Sequence, residues 1–259
     1  MVALAIVTAF PFLWLLATSL RSGGTVFAFP PVIIPRQPTL ANFESVWQTM
    51  PIGRFFLNTA YITGMGIALT LVTSALAGYP LARMRFPGRD LIFYGIVGSL
   101  ALPQHVGLIL NFVTITRLHL IDTYAAVYVP SAASVFGIFL LRQAYLTVPA
   151  EVEDAARIDG AGDLRVWGQI MLPLVSPALA TLAIIEFAAY WNSFLWPLVV
   201  LKSPDKFPLA VGLLYLSGLF AHNTRDIAAG AVLMTLPMIV VFLALQRYFL
   251  RGISIGAVK

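Results

Sequence analysis

The chain holds 259 residues, 59% of them hydrophobic and only 10% charged, with a mean hydropathy of +0.89. Globular domains carry charge on about a quarter of their residues, so polar surface is too scarce here to coat a soluble globule and lipid must be the solvent for most of the chain. The 16 Lys and Arg against 11 Asp and Glu leave a scattered surplus of +5 without the basic stripe of a nucleic-acid binder, and the absence of cysteine excludes a disulfide framework or a thiolate metal site.

A helix needs about 20 predominantly apolar residues to cross the hydrocarbon layer. On that measure six segments qualify: Val2–Leu20, Phe55–Tyr79, Leu91–Val113, Tyr124–Tyr145, Leu174–Leu201 and Ile227–Leu250. The first has no basic residue before it and no small-residue cleavage pattern after it, so it reads as a span and not as a cleaved leader. Gly64, Gly66, Gly78, Pro103, Pro130, Gly137, Pro197 and Pro237 fall inside these runs. Both residue types are common in membrane helices and suggest kinks and close helix approach.

The connections differ in kind. Between Arg21 and Arg54 the chain is Pro-rich and then amphipathic ("LANFESVWQTM"), which predicts a loop and a short surface helix. Tyr79 to Asp90 reads as a tight basic turn with Arg83, Arg85 and Arg89. Leu201 to Asp226 is a polar link holding a half-buried helix, "LAVGLLYLSGLF". The Arg83–Arg89 turn and the Arg247/Arg251 end both favour the same side as cytosolic. Six crossings then place both termini in the cytosol.

One connection stands apart: "EVEDAARIDGAGDLRVWGQIMLP", Glu151 to Pro173. Glu151, Glu153, Asp154, Arg157, Asp159, Asp163 and Arg165 crowd into it. Each charge would cost roughly 2.5–3.5 kcal/mol at mid-bilayer, so the segment must project into water. Its residues nevertheless favour helix. Thr147 and Pro149 supply a start, Glu151, Glu153 and Asp154 suit the positive end of the helix dipole, and Glu153 stands i, i+4 from Arg157 in the favourable order. Ala155 and Ala156 would leave a flat face, Gly160 permits a sharp turn, and Asp163 would open a second helix through Trp167 to Leu172. A solvated connection is one reading. Two short helices with an alanine face read better as a docking elbow, since loops beyond about 12–15 residues are uncommon unless functional.

At "DAARIDGA" followed by "IMLP" the segment closely resembles the EAA motif of permease subunits in binding-protein-dependent ABC importers, and the continuation Asp159, Gly160, Ala161 is similar to the carbohydrate branch. The resemblance extends through "FPFLWLLATSL", "ARMRFPGRD", "GIFLLRQAYLTVPAEV", "WNSFLWPL" and "GAVK", which look like the six-helix subunit of maltose-type and glycerol-phosphate-type systems. It implies one domain over 1–259: an all-α integral membrane protein of the type I importer permease fold, with six transmembrane helices and a cytosolic two-helix coupling loop at 147–173. It further implies that Asp154, Ala155, Ala156, Asp159, Gly160 and Ala161 seat the elbow in a separate ATPase. The motif's leading glutamate position holds Asp154, with Glu153 just before it, so either carboxylate is a candidate for the partner contact. The C-terminal stretch with Gly252, Ser254 and Gly256 would reach toward the ATPase pair, or simply fray.

Within the membrane, Glu186 lies near the middle of the fifth run, where an ionisable group is either functional or held between packed helices. Tyr190, Trp191 and Asn192 follow. Aromatic faces beside an amide suit a sugar on a translocation path, and an interfacial aromatic belt that includes Trp196 is the competing reading. His105, His119 and His222 fit no metal spacing. "GISIG" matches the G-x-S-x-G pattern, but no acid and histidine follow it, which removes a hydrolase.

No G-x-x-x-x-G-K-[ST] cradle occurs, so the chain is expected to carry no cofactor, with ATP and Mg bound by the partner. Swinging a two-state gate from 1:99 to 99:1 takes about 5.5 kcal/mol of differential binding, and that drive would arrive through the docked subunit. The expected assembly is this chain, a homologous permease, an ATPase dimer and an extracytoplasmic solute-binding protein in a bacterial or archaeal inner membrane, importing a sugar, oligosaccharide or glycerol phosphate. The alternative is a self-sufficient secondary transporter or channel. It would show coupling carboxylates in several spans, and an internal repeat. A membrane-embedded enzyme lacks a catalytic cluster.

Overall fold

The computed structural model describes residues 2–23, 26, 34–35, 37–101, 106–219 and 223–257, and among these every regular element is a helix. The helices are α1 (Val2–Ser19), α2 (Ala41–Thr49), α3 (Ile52–Arg83), α4 (Arg89–Gly98), α5 (Gly107–Arg117), α6 (Tyr124–Tyr128), α7 (Val135–Thr147), α8 (Ala150–Ile158), α9 (Asp163–Leu174), α10 (Ser176–Trp191), α11 (Leu195–Val200), α12 (Leu209–Leu219) and α13 (Thr224–Ala257). The amphipathic helix expected after the Pro-rich loop is α2, and the half-buried one in the 201–226 link is α12.

The spine is α3. Its 32 residues span about 48 Å at 1.5 Å per residue, more than the roughly 30 Å of hydrocarbon. It runs four residues past the end expected at Tyr79, because Pro80 falls in its last turn, where the lost backbone bond is easily replaced. The turn to α4 is made at Gly88, φ +81°. Its buried face repeats every three to four residues, through Phe55, Thr59, Ile62, Gly66, Thr70, Ser74, Gly78 and Ala82, and meets α7, α10 and α12. Small side chains set those distances. A Cβ on Gly66 would lie 2.6 Å from the Tyr190 ring, and one on Gly137 would collide with the Ser74 hydroxyl. The helix α13 packs against α1, α2 and α10.

Helices cover most of the described residues in each of the six expected apolar runs, yet only α3 and α13 are long and apolar enough to cross unaided among the described residues. The third run is two helices, α4 and α5, on either side of 102–105. The fourth breaks between α6 and α7 and the fifth between α10 and α11, which corrects the expectation of continuous helices there. At the first break Pro130 cannot donate a backbone bond, and neighbouring helices supply the partners. The Thr73 hydroxyl donates to the Ala132 carbonyl, the Tyr190 hydroxyl to Tyr128 at 3.4 Å and the Trp196 indole to Ala126 at 2.9 Å, while Ser134 caps α7 by accepting from the Gly137 amide. Irregular backbone survives at membrane depth only when protein satisfies it in this way. At the second break the Asn192 amide donates to the Ala188 carbonyl at 2.9 Å, competing with the helix for that acceptor.

Polar side chains gather at the two ends of α3. Around its N-terminus Arg54 pairs with Asp205 at 2.9 Å, Asn58 donates to the carbonyls of Asp205 and Phe207 and accepts from the Tyr124 hydroxyl, and the Thr59 hydroxyl accepts from the Leu209 amide. Beside them Asp122, at φ 61°, accepts from the Lys202 and Ser203 amides (2.9 and 3.0 Å), the Ser203 hydroxyl (2.5 Å) and the Lys206 ammonium (3.0 Å). Burial alone would raise the Asp122 carboxyl, but these donors outweigh it and hold its pKa well below the ordinary carboxylate range. The other cap forms around Arg83 at the opposite end.

Candidate functional site

The chain leaves α7 at Val148 and turns through 75° into α8. Counting α7 and α8 as one bent span would sink Glu151, Glu153, Asp154 and Arg157 into hydrocarbon, so α8 lies outside it. The start of α8 differs from the expected one: the Thr147 hydroxyl donates back to Ala144 at 2.8 Å, and Pro149 is the residue before the first helical position, not the first. Glu151 and Glu153 do occupy the first turn, where the helix dipole favours them.

Gly160 ends α8. It has φ +81°, its amide donates to Arg157 at 3.0 Å, and the Ala161 amide donates to Ala156 at 3.0 Å. That crossed pair of bonds around a left-handed residue is a Schellman motif, and it turns the chain toward α9. Asp163 opens α9 as expected, with Gly162 before it. The helix widens into a π turn at Val166–Met171 and continues to Leu174, meeting α10 at 73°.

Adjacent residues of α8 point opposite ways. Inward, Glu153 is 4% exposed, with Oε1 2.9 Å from the Arg83 Nε. The two atoms attract without forming an aligned hydrogen bond. The Arg83 Nη2 donates to the Val148 carbonyl. Ala156 packs in one cluster with Tyr79, Tyr145, Val166 and Met171, and Ala161 leans on it. Tyr79 meets Tyr145 edge-on at 5.5 Å, and the Trp167 indole donates to the Tyr145 hydroxyl at 3.2 Å. Outward lie Asp154, Ala155, Asp159 and Gly160, with Ile158 86% and Leu164 80% exposed. Arg157 spans the bend, 3.6 Å from Glu153, 4.0 Å from Asp154 and 3.5 Å from Asp163.

This geometry corrects the flat alanine face, since Ala156 is core and Ala155 is surface. It also separates the two carboxylates: Glu153 is committed to Arg83, and Asp154 is open to a partner. Ile158 and Leu164 escaped the sequence reading although both are visible there, as large apolar side chains on either side of Asp159–Asp163 in a segment that must face water. Arg83, Tyr145 and Trp167 escaped it because their connection to α8 is purely tertiary. A cleft of about 780 Å³ opens beside α8, lined by Arg83, Arg85, Arg89, Glu153, Asp154 and Arg157.

The intramembrane candidates do not share one surface. Glu186 and Tyr190, one turn apart on α10, come together beside the break in the fourth run, with Glu186 engaging Ser134 and the Tyr190 hydroxyl 3.3 Å from Thr70. Trp191 is 3% exposed, stacked on Phe187, edge-on to Phe56 and donating to the Met234 carbonyl at 3.1 Å. Asn192 is exposed at the second break, 3.7 Å from the Met238 sulfur. Gly252, Ser254 and Gly256 belong to the last turns of α13; the side-chain surroundings there, like His105, His222 and Pro103, lie outside the described residues.

Residues 73–255 match the family described as binding-protein-dependent transport system inner membrane component. The chain is 35% identical over 263 residues to the arabinooligosaccharides transport system permease protein AraQ of Halalkalibacterium halodurans, covering 99% of this chain and 93% of that protein. It is 34% identical over 237 residues to the sn-glycerol-3-phosphate transport system permease protein UgpE of Pectobacterium atrosepticum, covering 88% and 84%. Among solved structures, a chain of a bacterial ABC transporter involved in the import of the acidic polysaccharide alginate superposes with a TM-score of 0.83 at 26% identity, over 95% of this chain and 92% of that one.

Proposed function

The chain belongs to the family of binding-protein-dependent transport system inner membrane components, and from that premise we propose that it is the membrane-spanning subunit of an ATP-driven importer for a sugar, an oligosaccharide or a glycerol phosphate. The observation that carries this reading is the two-faced elbow. Its inner face is bolted to α3, α7 and α9, and its outer face presents Asp154, Ile158, Asp159 and Leu164 to water. Two large apolar side chains left almost fully exposed in a charged segment that must face water support a partner surface.

The partner is a separate ATPase dimer, which binds the ATP and Mg. A homologous permease completes the path and a solute-binding protein delivers solute from the extracytoplasmic side; both termini and the elbow are cytosolic. Closure of the ATPase pair draws the elbows together and turns the bundle outward, and hydrolysis resets it. The substrate class rests on the relatives, whose names cover arabinooligosaccharides and glycerol 3-phosphate, and on the alginate importer. Of the intramembrane candidates, Glu186, half-buried beside irregular backbone, is the group proposed to meet a polar solute, with Tyr190 packed behind it.

The test is co-purification. Chain extracted from membranes with the intact elbow recovers an ATPase. Recovery of equal ATPase after residues 151–165 are replaced by a Gly/Ser linker of the same length would sink the reading.

A further inference from the structure

We propose that the buried Arg83–Glu153 pair is a strut that makes α8 and α3 move as one body, so that Glu153 is a positioning residue and not part of the docking face. The inference deepens the importer reading and rests on it. Three observations carry it. First, the pair joins the helix that would receive the stroke to the spine that contacts α7, α10 and α12. Second, Arg83 is held from a second side, by the Val148 carbonyl at the 75° bend, so the guanidinium fastens α3, α7 and α8 at one point. Third, both side chains are largely buried, 13% and 6% exposed. A buried ion pair is weak evidence for stability, and its best-attested use is to fix register.

Localisation, not direction, favours the ion pair over the surrounding apolar contacts. Ala156, Tyr145 and Val166 resist separation but can trade one apolar neighbour for another on sliding. The attraction between Arg83 and Glu153 is tied to one point of α3 and one of α8 and, largely out of water, weakens on sliding as well as on separation. Within α3, on the N-terminal side of Arg83, Thr73 meets the backbone break in the fourth run and Thr70 meets Tyr190, so a stroke entering at Arg83 reaches the break beside Glu186 along one continuous helix.

The chain has no cysteine, so introduced thiols are its only labelling sites. Spin labels at Glu151→Cys on α8 and Leu76→Cys on α3, both exposed positions, report the distance between the helices in the complex with the ATPase. With the strut intact, ATP plus vanadate leaves that distance unchanged. In the Glu153→Gln background the ATPase is still recovered, but ATP plus vanadate shifts the distance, since α8 moves without α3. A merely structural role would lower the yield of complex and leave the distance independent of nucleotide.

The strut is overturned by a distance that stays fixed in Glu153→Gln, or by one that already shifts in the parent. Loss of the ATPase from Glu153→Gln also overturns it, by placing Glu153 on the docking face while the importer reading stands. Failure of the unmutated chain to recover any ATPase instead removes the importer reading itself. Should Glu153→Gln fail to insert, Arg83→Met with Glu153→Leu leaves no unpaired charge, and the same readout applies.

Discussion

The two polar caps at the ends of α3 each combine a charged side chain bonded to a backbone carbonyl with a hydrogen-bonded tyrosine hydroxyl, and they differ in how far they are completed. At the N-terminal end Asp122, Asn58 and Thr59 bond connecting backbone, with Tyr124 holding the Asn58 amide in place, which fixes the 201–209 segment against α3 and the turn before α6. At the Arg83 end the inner half of the elbow is equally committed, while Ile158 and Leu164 face water with no apolar cover. The first cap is complete within the chain. The second is finished on one side only, and the unfinished side is where another molecule belongs.

The sharpest way to break that contrast is to place charge on the unfinished side. Ile158→Asp with Leu164→Asp is expected to reduce ATPase recovery at least about thirtyfold, as loss of a hot spot of about 2 kcal/mol would. Because both side chains are exposed, the thermal midpoint of the purified chain stays put; a fall in midpoint with unchanged recovery would reverse the assignment of the caps.

Asp122→Ala tests the other side. It removes an acceptor serving charged and neutral donors at φ 61°, a backbone angle that alanine tolerates less well. The expected cost is about 1.5–3 kcal/mol of stability, read as a lower thermal midpoint with ATPase recovery intact. The sign of the pH dependence follows from the depressed carboxyl. Its contribution is fully present above the ordinary carboxylate pKa, declines as pH falls below it, and is gone once pH has fallen through the lower folded value. Protection of the Lys202 and Ser203 amides from hydrogen exchange therefore persists on acidification past the point where free carboxylates protonate.

Gly160→Val asks whether the elbow's shape or its composition matters. No atom lies within 4 Å of a Cβ placed there, so the penalty is backbone strain at φ +81°, about 1–2 kcal/mol. About a tenfold weaker hold on the ATPase is expected, whereas Gly168→Ala, open and without a left-handed backbone, leaves it unchanged. The smallest effect belongs to Arg54→Gln, which breaks a pair with side chains 57% and 49% exposed. Less than about 1 kcal/mol is expected, within the error of a thermal melt.

Hydropathy located the apolar runs that become helices, because apolar composition is legible residue by residue, but it did not tell unbroken crossings such as α3 and α13 from bent or interrupted ones. It could not locate the break at 129–134, because the hydroxyls and indole that satisfy the carbonyls there belong to Thr73, Tyr190 and Trp196, remote in sequence. The elbow was legible for the opposite reason: seven charges in an apolar chain have only water to go to. Its rotation was not legible. Neighbours such as Glu153 and Asp154, or Ala155 and Ala156, differ only by the 100° step of a helix, and which one turns inward is decided by Arg83 and Tyr145 from other segments.

The glycine contacts along α3 also constrain how the chain can diverge. With the Tyr190 ring 2.6 Å from where a Cβ on Gly66 would sit, and Phe55 similarly close to Gly212, a methyl group at either glycine requires its aromatic neighbour to yield. Viable sequence change must therefore be ordered: the ring shrinks or withdraws first, and only then does the glycine become free to grow. Gly212→Ala alone should lower the thermal midpoint where Gly212→Ala with Phe55→Leu restores it, so the two positions can change only together.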